Sequence, residues 1–231
     1  MIIESRSALH FGVNFVLAPP PLIDGKHIRS FQDHLAEEAL EFTGVNTPAT
    51  GMGVFERSPT RPLQVRVQTT PPVAQLLIIA PIPERTVEEF MEEAEAVCSA
   101  FQKTWPSPVQ LVARDCTIRH LYDVPAEHAF EYLWVKRLGE TESQLGALGR
   151  PVLGGGLRFV MPPIASDTEP KQVEVKIESF LNNSRKLYVD VSFAWPSPVA
   201  PGSSLDPGAM LQEVQAYATT EVVAFIRGDS E

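Results

Sequence analysis

Val173-Glu174-Val175-Lys176-Ile177-Glu178, then the polar break Asn182-Asn183-Ser184, then Leu187-Tyr188-Val189-Asp190-Val191-Ser192-Phe193-Ala194-Trp195, is the stretch that decides the fold. Apolar residues stand at every second position in both runs. Period 2 of this kind marks strands with one buried face, and the short polar break makes the pair a hairpin. Asp206 as N-cap and Pro207 at the first helical position then announce a helix. Leu211, Val214, Ala218, Val222 and Phe225 fall on one stripe of it, and Gly228 ends it. The unit from Lys171 to Gly228 is therefore hairpin plus amphipathic helix.

The same unit is expected earlier in the chain. Leu63, Val65 and Val67 alternate with Gln64, Arg66 and Gln68, and Pro71-Pro72 makes the turn. Val73 to Ala80 returns as a nearly continuous apolar strand, a pattern that predicts burial on both faces. Thr86 and Glu89 form a capping box, from which Val87, Phe90, Ala94, Val97 and Phe101 continue as a helix to about Lys103.

Each hairpin is preceded by a strand, a helix and a short strand. Leu9, Phe11, Val13, Phe15 and Leu17 alternate in a first strand that stops at Pro19-Pro20-Pro21. After Asp24-Gly25, the residues Ile28, Phe31, Leu35, Ala39 and Phe42 form a helical stripe closed by Gly44. A short strand is expected at Gly53-Val54-Phe55-Glu56. In the second half, Val109 to Val124 reads as a long strand with a bulge near Arg114-Asp115. Pro125 starts a helix carrying Ala126, Phe130, Leu133, Trp134 and Leu138. A glycine-rich flexible connection from Gly139 leads to a strand at Gly156-Leu157-Arg158-Phe159-Val160.

The two halves, residues 1–106 and 107–231, thus read as one duplicated β-α-β-β-β-α unit. The expected class is α+β, with a mainly antiparallel sheet and helices packed on one face. The halves would join about a pseudo-two-fold axis. A duplicated saddle of this type resembles TATA-binding-protein-like folds; a helix gripped by one curved sheet is the rival architecture. Neither analogy carries function.

Composition narrows the function classes. The chain has 231 residues, 44% of them hydrophobic and 21% charged, enough for a large core without staples. Its formal charge is −10, with 29 acids against 19 bases. Phosphate neutralisation needs clustered Lys and Arg, so nucleic acid is not the expected partner. The start, Met1-Ile2-Ile3-Glu4-Ser5-Arg6, lacks the pattern of a signal peptide, and no apolar run reaches bilayer-spanning length. Cys98 and Cys116 belong to no metal or redox motif and read as buried thiols in a reducing cytoplasm. The protein is expected to be cytoplasmic and not membrane-bound.

Three segments together resemble a sporadically distributed bacterial family of uncharacterised function, about 230–260 residues long. They are the strand Leu9 to Leu17, the mid-chain run Val112-Ala113-Arg114-Asp115-Cys116-Thr117-Ile118-Arg119-His120-Leu121-Tyr122-Asp123-Val124-Pro125, and the final strand Leu187 to Trp195 with its helix. By the resemblance, Arg114 and Arg119 match the family's two mid-chain arginines, and Asp190 its acidic residue in the last strand. His120 and Leu121 intervene before Tyr122, and the family's asparagine is absent. The resemblance implies no activity, ligand or catalytic residue.

The chemistry-bearing candidates are few. Gly149 and Gly154-Gly155-Gly156 precede a strand, whereas a phosphate loop needs a following helix N-terminus. No P-loop lysine motif and no G-x-S-x-G occurs, so no cofactor and no catalytic residue is assigned. His27, His34 and Glu38 share a helix face without metal-ligand spacing and read as solvated, as do Glu88, Glu89, Glu92, Glu93 and Glu95. The densest polar group is Arg114, Asp115, Arg119, His120 and Asp123 on one strand. As a binding patch it would be joined by Arg66, Arg158, Lys176 and Tyr188, with Tyr122 beside it, because arginine and tyrosine are favoured interface anchors.

The expected function is therefore non-catalytic. It is a cytoplasmic binding or assembly protein, acting on a protein partner or on itself as a homo-oligomer, through a sheet face or the groove between halves. The binding residues are Arg114, Arg119, His120, Tyr122, Arg66, Arg158 and Tyr188. The alternative is a small-molecule binder or enzyme with a pocket between curved sheet and helix, for which His10, Asn14, His120 and Tyr122 are candidates.

Overall fold

The computed structural model describes residues 1–107, 109–199 and 204–228. Nine strands form one sheet: β1 (Ile2–Ala18), β2 (Gly44–Asn46), β3 (Met52–Arg57), β4 (Leu63–Thr70), β5 (Val73–Pro81), β6 (Gln110–Asp123), β7 (Gly156–Met161), β8 (Gln172–Ser179) and β9 (Lys186–Trp195). Their order is β2-β3-β4-β5-β1-β6-β9-β8-β7, and every neighbouring pair is antiparallel. The long strands β1 and β6 lie side by side at the centre. Each is flanked on its other side by the last strand of its own half, β5 or β9. The fold is α+β with a mostly antiparallel sheet, as expected.

Helices α1 (Gly25–Glu37), α2 (Val87–Thr104) and α5 (Pro207–Thr219) pack on one face. Alternation fixes that face. Phe11, Val13, Phe15 and Leu17 of β1 point into it, with Cys116 and Ile118 of β6 and Val189, Val191 and Phe193 of β9. Phe31 of α1 meets Phe55 and Phe101 edge-on, and Phe11 packs on Phe90 at 5.5 Å. A single hydrophobic cluster runs through both halves.

Local chemistry sets the helix ends. Asp24 caps α1, its carboxylate accepting from the backbone N–H groups of Lys26 and His27 at 2.9 Å. The capping box of Thr86 and Glu89 is present in both directions. Asp206 accepts from the Ala209 N–H at 2.9 Å, and Gly228 closes the chain's last helix in the left-handed region.

Several expectations need correction. Helix α1 stops at Glu37 instead of reaching Phe42, because Ala39 turns left-handed (φ 59°). The Leu40 and Ala39 N–H groups then bond back to the Leu35 and Ala36 carbonyls, a Schellman closure. Gly44 opens β2, a strand the alternation does not announce. Strand β5 is not buried on both faces: Ala74, Leu76, Ile78 and Ala80 are buried, while Gln75 is exposed and Leu77 and Ile79 are half-buried. The register between β1 and β6 shifts between Ile2 and Ser7, at Leu9 and at Val112, not at Arg114-Asp115.

The second half departs most from the expected unit. The helix after Pro125 is one short turn, α3 (Ala129–Glu131), running into a π-helical turn over Tyr132–Arg137. The connection beyond Gly139 holds a four-residue helix, α4 (Glu142–Leu145), and a 3₁₀ turn. The last helix is broken into α5 and α6 (Glu221–Arg227). Thr219 and Thr220 hydroxyls bond back to the Gln215 and Ala216 carbonyls at 2.8 and 2.7 Å and compete with the helix ladder there. The precise β-α-β-β-β-α repeat is therefore not what the elements spell: the first half has an extra strand, and the second half has only a fragment where α1 would be.

Candidate functional site

The face of the sheet opposite the helices is uncovered. The strand register lays out what it carries. One row reads Arg66, Leu77, Asn14, Asp115 and Ala194 across β4, β5, β1, β6 and β9. The next reads Gln64, Ile79, Gly12, Thr117, Ser192 and Glu174. A third reads His10, Arg119, Asp190, Lys176 and Arg158, with Tyr188 two residues further along β9 on the same face.

Asp190 anchors this face. It is 4% exposed, although no helix among the described residues covers it. Arg119 Nε donates to its Oδ2 at 3.0 Å and Tyr188 Oη donates to the same oxygen at 2.9 Å. Ser192 Oγ donates to Oδ1 at 3.4 Å and pairs with Thr117 Oγ1 at 2.8 Å. Burial pushes the Tyr188 hydroxyl well above its usual pKa, and the Asp190 charge adds to the effect. Five side chains on two strands are thus locked in one network. At its border His10 folds over Gly12, where an added Cβ would come 2.8 Å from Nε2. Burial lowers the His10 pKa to about 4, and the Arg119 charge adds to this. Asn14 Nδ2 donates to Asp115 Oδ2 at 2.7 Å, and burial raises the Asp115 pKa.

The seven residues expected to bind do not share one surface. Arg66, Arg119, Arg158 and Tyr188 lie on the uncovered face. Arg114, His120 and Tyr122 lie on the helix side, because positions two apart on β6 repeat the direction of Cys116 and Ile118. Arg114 stands over the Trp195 ring at 5.2 Å and pairs with Glu169. His120 is 2% exposed against Phe11, its Nδ1 has no partner among the described residues, and burial lowers its pKa to about 4. Tyr122 is fully buried beside Arg6. On the uncovered face, Arg158 is bidentate to Glu174 at 2.9 and 3.1 Å, and the Arg66 Nε is buried with no partner among the described residues.

Other polar groups resolve into structure. His34 Nδ1 pairs with Thr104 Oγ1 at 2.9 Å, and Glu38 accepts from Ser99 and Lys103. Glu93 is not solvated: it bridges Arg57 at 2.6 Å and the buried Arg85. Sequence reasoning missed this cluster: Arg85 stands between Glu84 and Thr86 with no local sign of burial, and its partners come from separate elements. Among the described residues no group of three or more His, Cys, Asp or Glu is placed to hold a metal ion.

One concave site lies away from the sheet face. A cavity of about 750 Å³ opens between the π-helical turn and the chain that follows it, lined by Phe130, Trp134, His128, Glu131 and Arg150. The Phe130 and Trp134 rings stack at 5.9 Å, and Trp134 Nε1 has no acceptor among the described residues.

Comparison with known proteins adds little to this geometry. No protein-family profile matches the chain, and no curated protein matches it. Among solved structures, the chain is similar to DynU16, a protein of the dynemicin biosynthetic locus. Identity is 12%, over 93% of this chain and 96% of that one, with a TM-score of 0.25. A superposition that poor carries no argument about fold or site. No helix among the described residues is long and apolar enough to cross a membrane.

Proposed function

We propose that this is a non-catalytic binding protein that holds a protein partner on the uncovered face of its sheet. The observation that carries this reading is the Thr117–Ser192–Asp190–Tyr188–Arg119 network, a polar surface fixed at the centre of a face that no helix covers. Side chains already held in place lose little freedom on binding, and a mixed surface with Arg and Tyr suits a protein better than a nucleic acid. The chain's net charge of −10 supports the same choice. The halves 1–106 and 107–231 are, on this reading, copies of one β-α-β-β-β-α ancestor; the strand order β3-β4-β5-β1 repeats as β7-β8-β9-β6. Two buried, unpaired thiols, Cys98 and Cys116, fit work in a reducing cytoplasm.

Photo-crosslinking in the host tests the face. A crosslinking amino acid at Tyr188 is expected to give discrete protein adducts that Arg119→Glu removes. The same group at Lys103, on the helix side, is expected to give none. Adducts from Lys103 alone would refute the reading.

A second reading, small-molecule binding, is favoured by the aromatic-walled cavity at Phe130 and Trp134, whose size suits a drug-sized ligand. Native mass spectrometry of gently purified protein would then show an added mass of a few hundred daltons, lost on denaturation and in Phe130→Ala. Bare protein in every preparation counts against it.

A further inference from the structure

The two edges of the sheet are not alike. At one edge, β2 is three residues long and is followed at once by Thr47-Pro48. Short edges and proline are devices that stop strands from adding to one another. At the other edge, β7 is six residues long, Gly156-Leu157-Arg158-Phe159-Val160-Met161, with no bulge; Pro162-Pro163 stop it at its end much as Pro48 stops β2, so the edges differ in length: twice as many residues of β7 are free to pair. Its Val160 is 53% exposed and its Phe159 37%. The single charge, Arg158, is already paired with Glu174. Beside the strand, on the helix side, an apolar crevice of about 210 Å³ is lined by Phe159, Met161, Tyr217 and Phe225. An unprotected edge continuous with an apolar crevice is a template for strand addition.

We propose that β7 pairs antiparallel with β7 of a second copy of this chain, joining two nine-stranded sheets edge to edge about a two-fold axis. A second copy is the occupant because, of the two registers that pair five residues of β7, one makes the strand complementary to itself. Across a two-fold, residue i faces residue j and j faces i, so their sum is constant. Directly opposed residues on antiparallel strands share a face, so i and j must have the same parity, and the axis passes through a residue. Centring on Arg158 opposes two guanidinium groups. Centring on Phe159 opposes Phe159 to the partner's Phe159, Leu157 to the partner's Met161, and Arg158 to the partner's Val160. That register stacks apolar pairs on the helix side, next to Phe225, and separates the charges.

Five paired residues and the rim of the crevice make a small interface, below about 1,200 Å², so the dimer is concentration-dependent, with dissociation on the order of micromolar. The contact uses the sheet edge and is independent of what the uncovered face holds.

The test uses the full-length chain. Phe159→Cys and Arg158→Cys are each exposed to mild oxidant and resolved without reductant. The native Cys98 and Cys116 are buried and stay silent. Phe159→Cys is expected to crosslink into dimers at least tenfold faster than Arg158→Cys. Val160→Lys, at an exposed site, is expected to keep the native circular dichroism and melting profile while shifting sedimentation toward monomer by at least tenfold in dissociation constant. Faster crosslinking of Arg158→Cys overturns the register. A wild-type chain that stays monomeric at 100-fold above about 1 μM, or a Val160→Lys chain that dimerises unchanged, overturns the contact.

Discussion

Arg119 of β6 and Asp190 of β9 meet at 3.0 Å directly across the ladder, with the carboxylate buried and the guanidinium partly in water. The pair is asymmetric, and the asymmetry has a thermodynamic sign. Removing Arg119 leaves a buried charge held only by the Tyr188 and Ser192 hydroxyls. Removing Asp190 leaves a charge that water already reaches. Arg119→Ala is expected to cost about 3 kcal/mol and Asp190→Ala about half of that. Urea denaturation of both variants at pH 7 checks the order; a larger loss in Asp190→Ala would contradict it.

His10 and His120 are both held neutral by burial, with folded pKa values of about 4 against 6.5 for the free side chain. The unfolded chain therefore binds more protons between those values. Their stability contribution is complete above pH 6.5 and is lost as pH falls toward 4, by roughly 1–3 kcal/mol for each residue. Denaturation midpoints between pH 6.5 and 5 are expected to decline, and His10→Gln with His120→Gln to flatten that slope. An unchanged slope would show that neither ring is held neutral.

Asp115 should behave in the opposite sense. Burial raises its pKa, so ionisation at neutral pH works against the fold. Asn14 Nδ2 already donates to it, while Asn14 Oδ1 is buried with no partner among the described residues. Asp115→Asn keeps the acceptor and adds a donor. A gain of about 1 kcal/mol at pH 7 is expected, shrinking as pH falls through the raised folded pKa of the carboxyl and Asp115 protonates in the wild type. A calorimetric loss at pH 7 would be the wrong sign.

Glu93 is the shared counter-charge of Arg57 and Arg85, and it ties α2 to the end of β3. Burial, helped by Arg57 and Arg61, lowers the Arg85 pKa to about 10, which still leaves it charged at neutral pH. Glu93→Ala strands buried guanidinium charge and is expected to cost about 3–5 kcal/mol, a fall of roughly 10 °C in melting temperature. Glu93→Gln should lie between it and wild type. A loss under 1 kcal/mol would mean that water reaches Arg85 freely.

Much of the secondary structure was legible from period and caps. The alternation at Leu9–Leu17, at Leu63–Val67 and through the closing hairpin named strands that are present, and Asp206, Thr86 and Gly228 marked helix ends that hold. Where the reading failed, the competing chemistry is local. Ala39 entered the left-handed region without a glycine to announce it. Thr219 and Thr220 broke a helix whose apolar stripe continued unbroken. The continuous apolar run of β5 suggested two buried faces, yet a half-buried face can carry Leu77 and Ile79 when it lies inside a wide sheet.

The site was legible in part. The sequence reading put Arg114, Arg119, His120 and Tyr122 in one patch, although strand parity on β6, with Cys116 and Ile118 marking the buried direction, sets Arg119 apart from the other three. Asp190, the anchor of the network, was not among the expected binding residues and was named only as the match to an acidic position of the resembling family. The Glu93 cluster was hidden because its partners, Arg57 and Arg85, come from different elements.

By itself the sequence determined which residues alternate, which cap, and that the chain is α+β with one rich apolar core, because those follow from the near-neighbour geometry of strand and helix. Tertiary structure decided that β1 and β6 lie together at the sheet centre, that one face stays uncovered, and that β7 ends the sheet with an open edge. Those depend on contacts between residues a hundred or more positions apart, such as Asn14 with Asp115, which no local periodicity encodes.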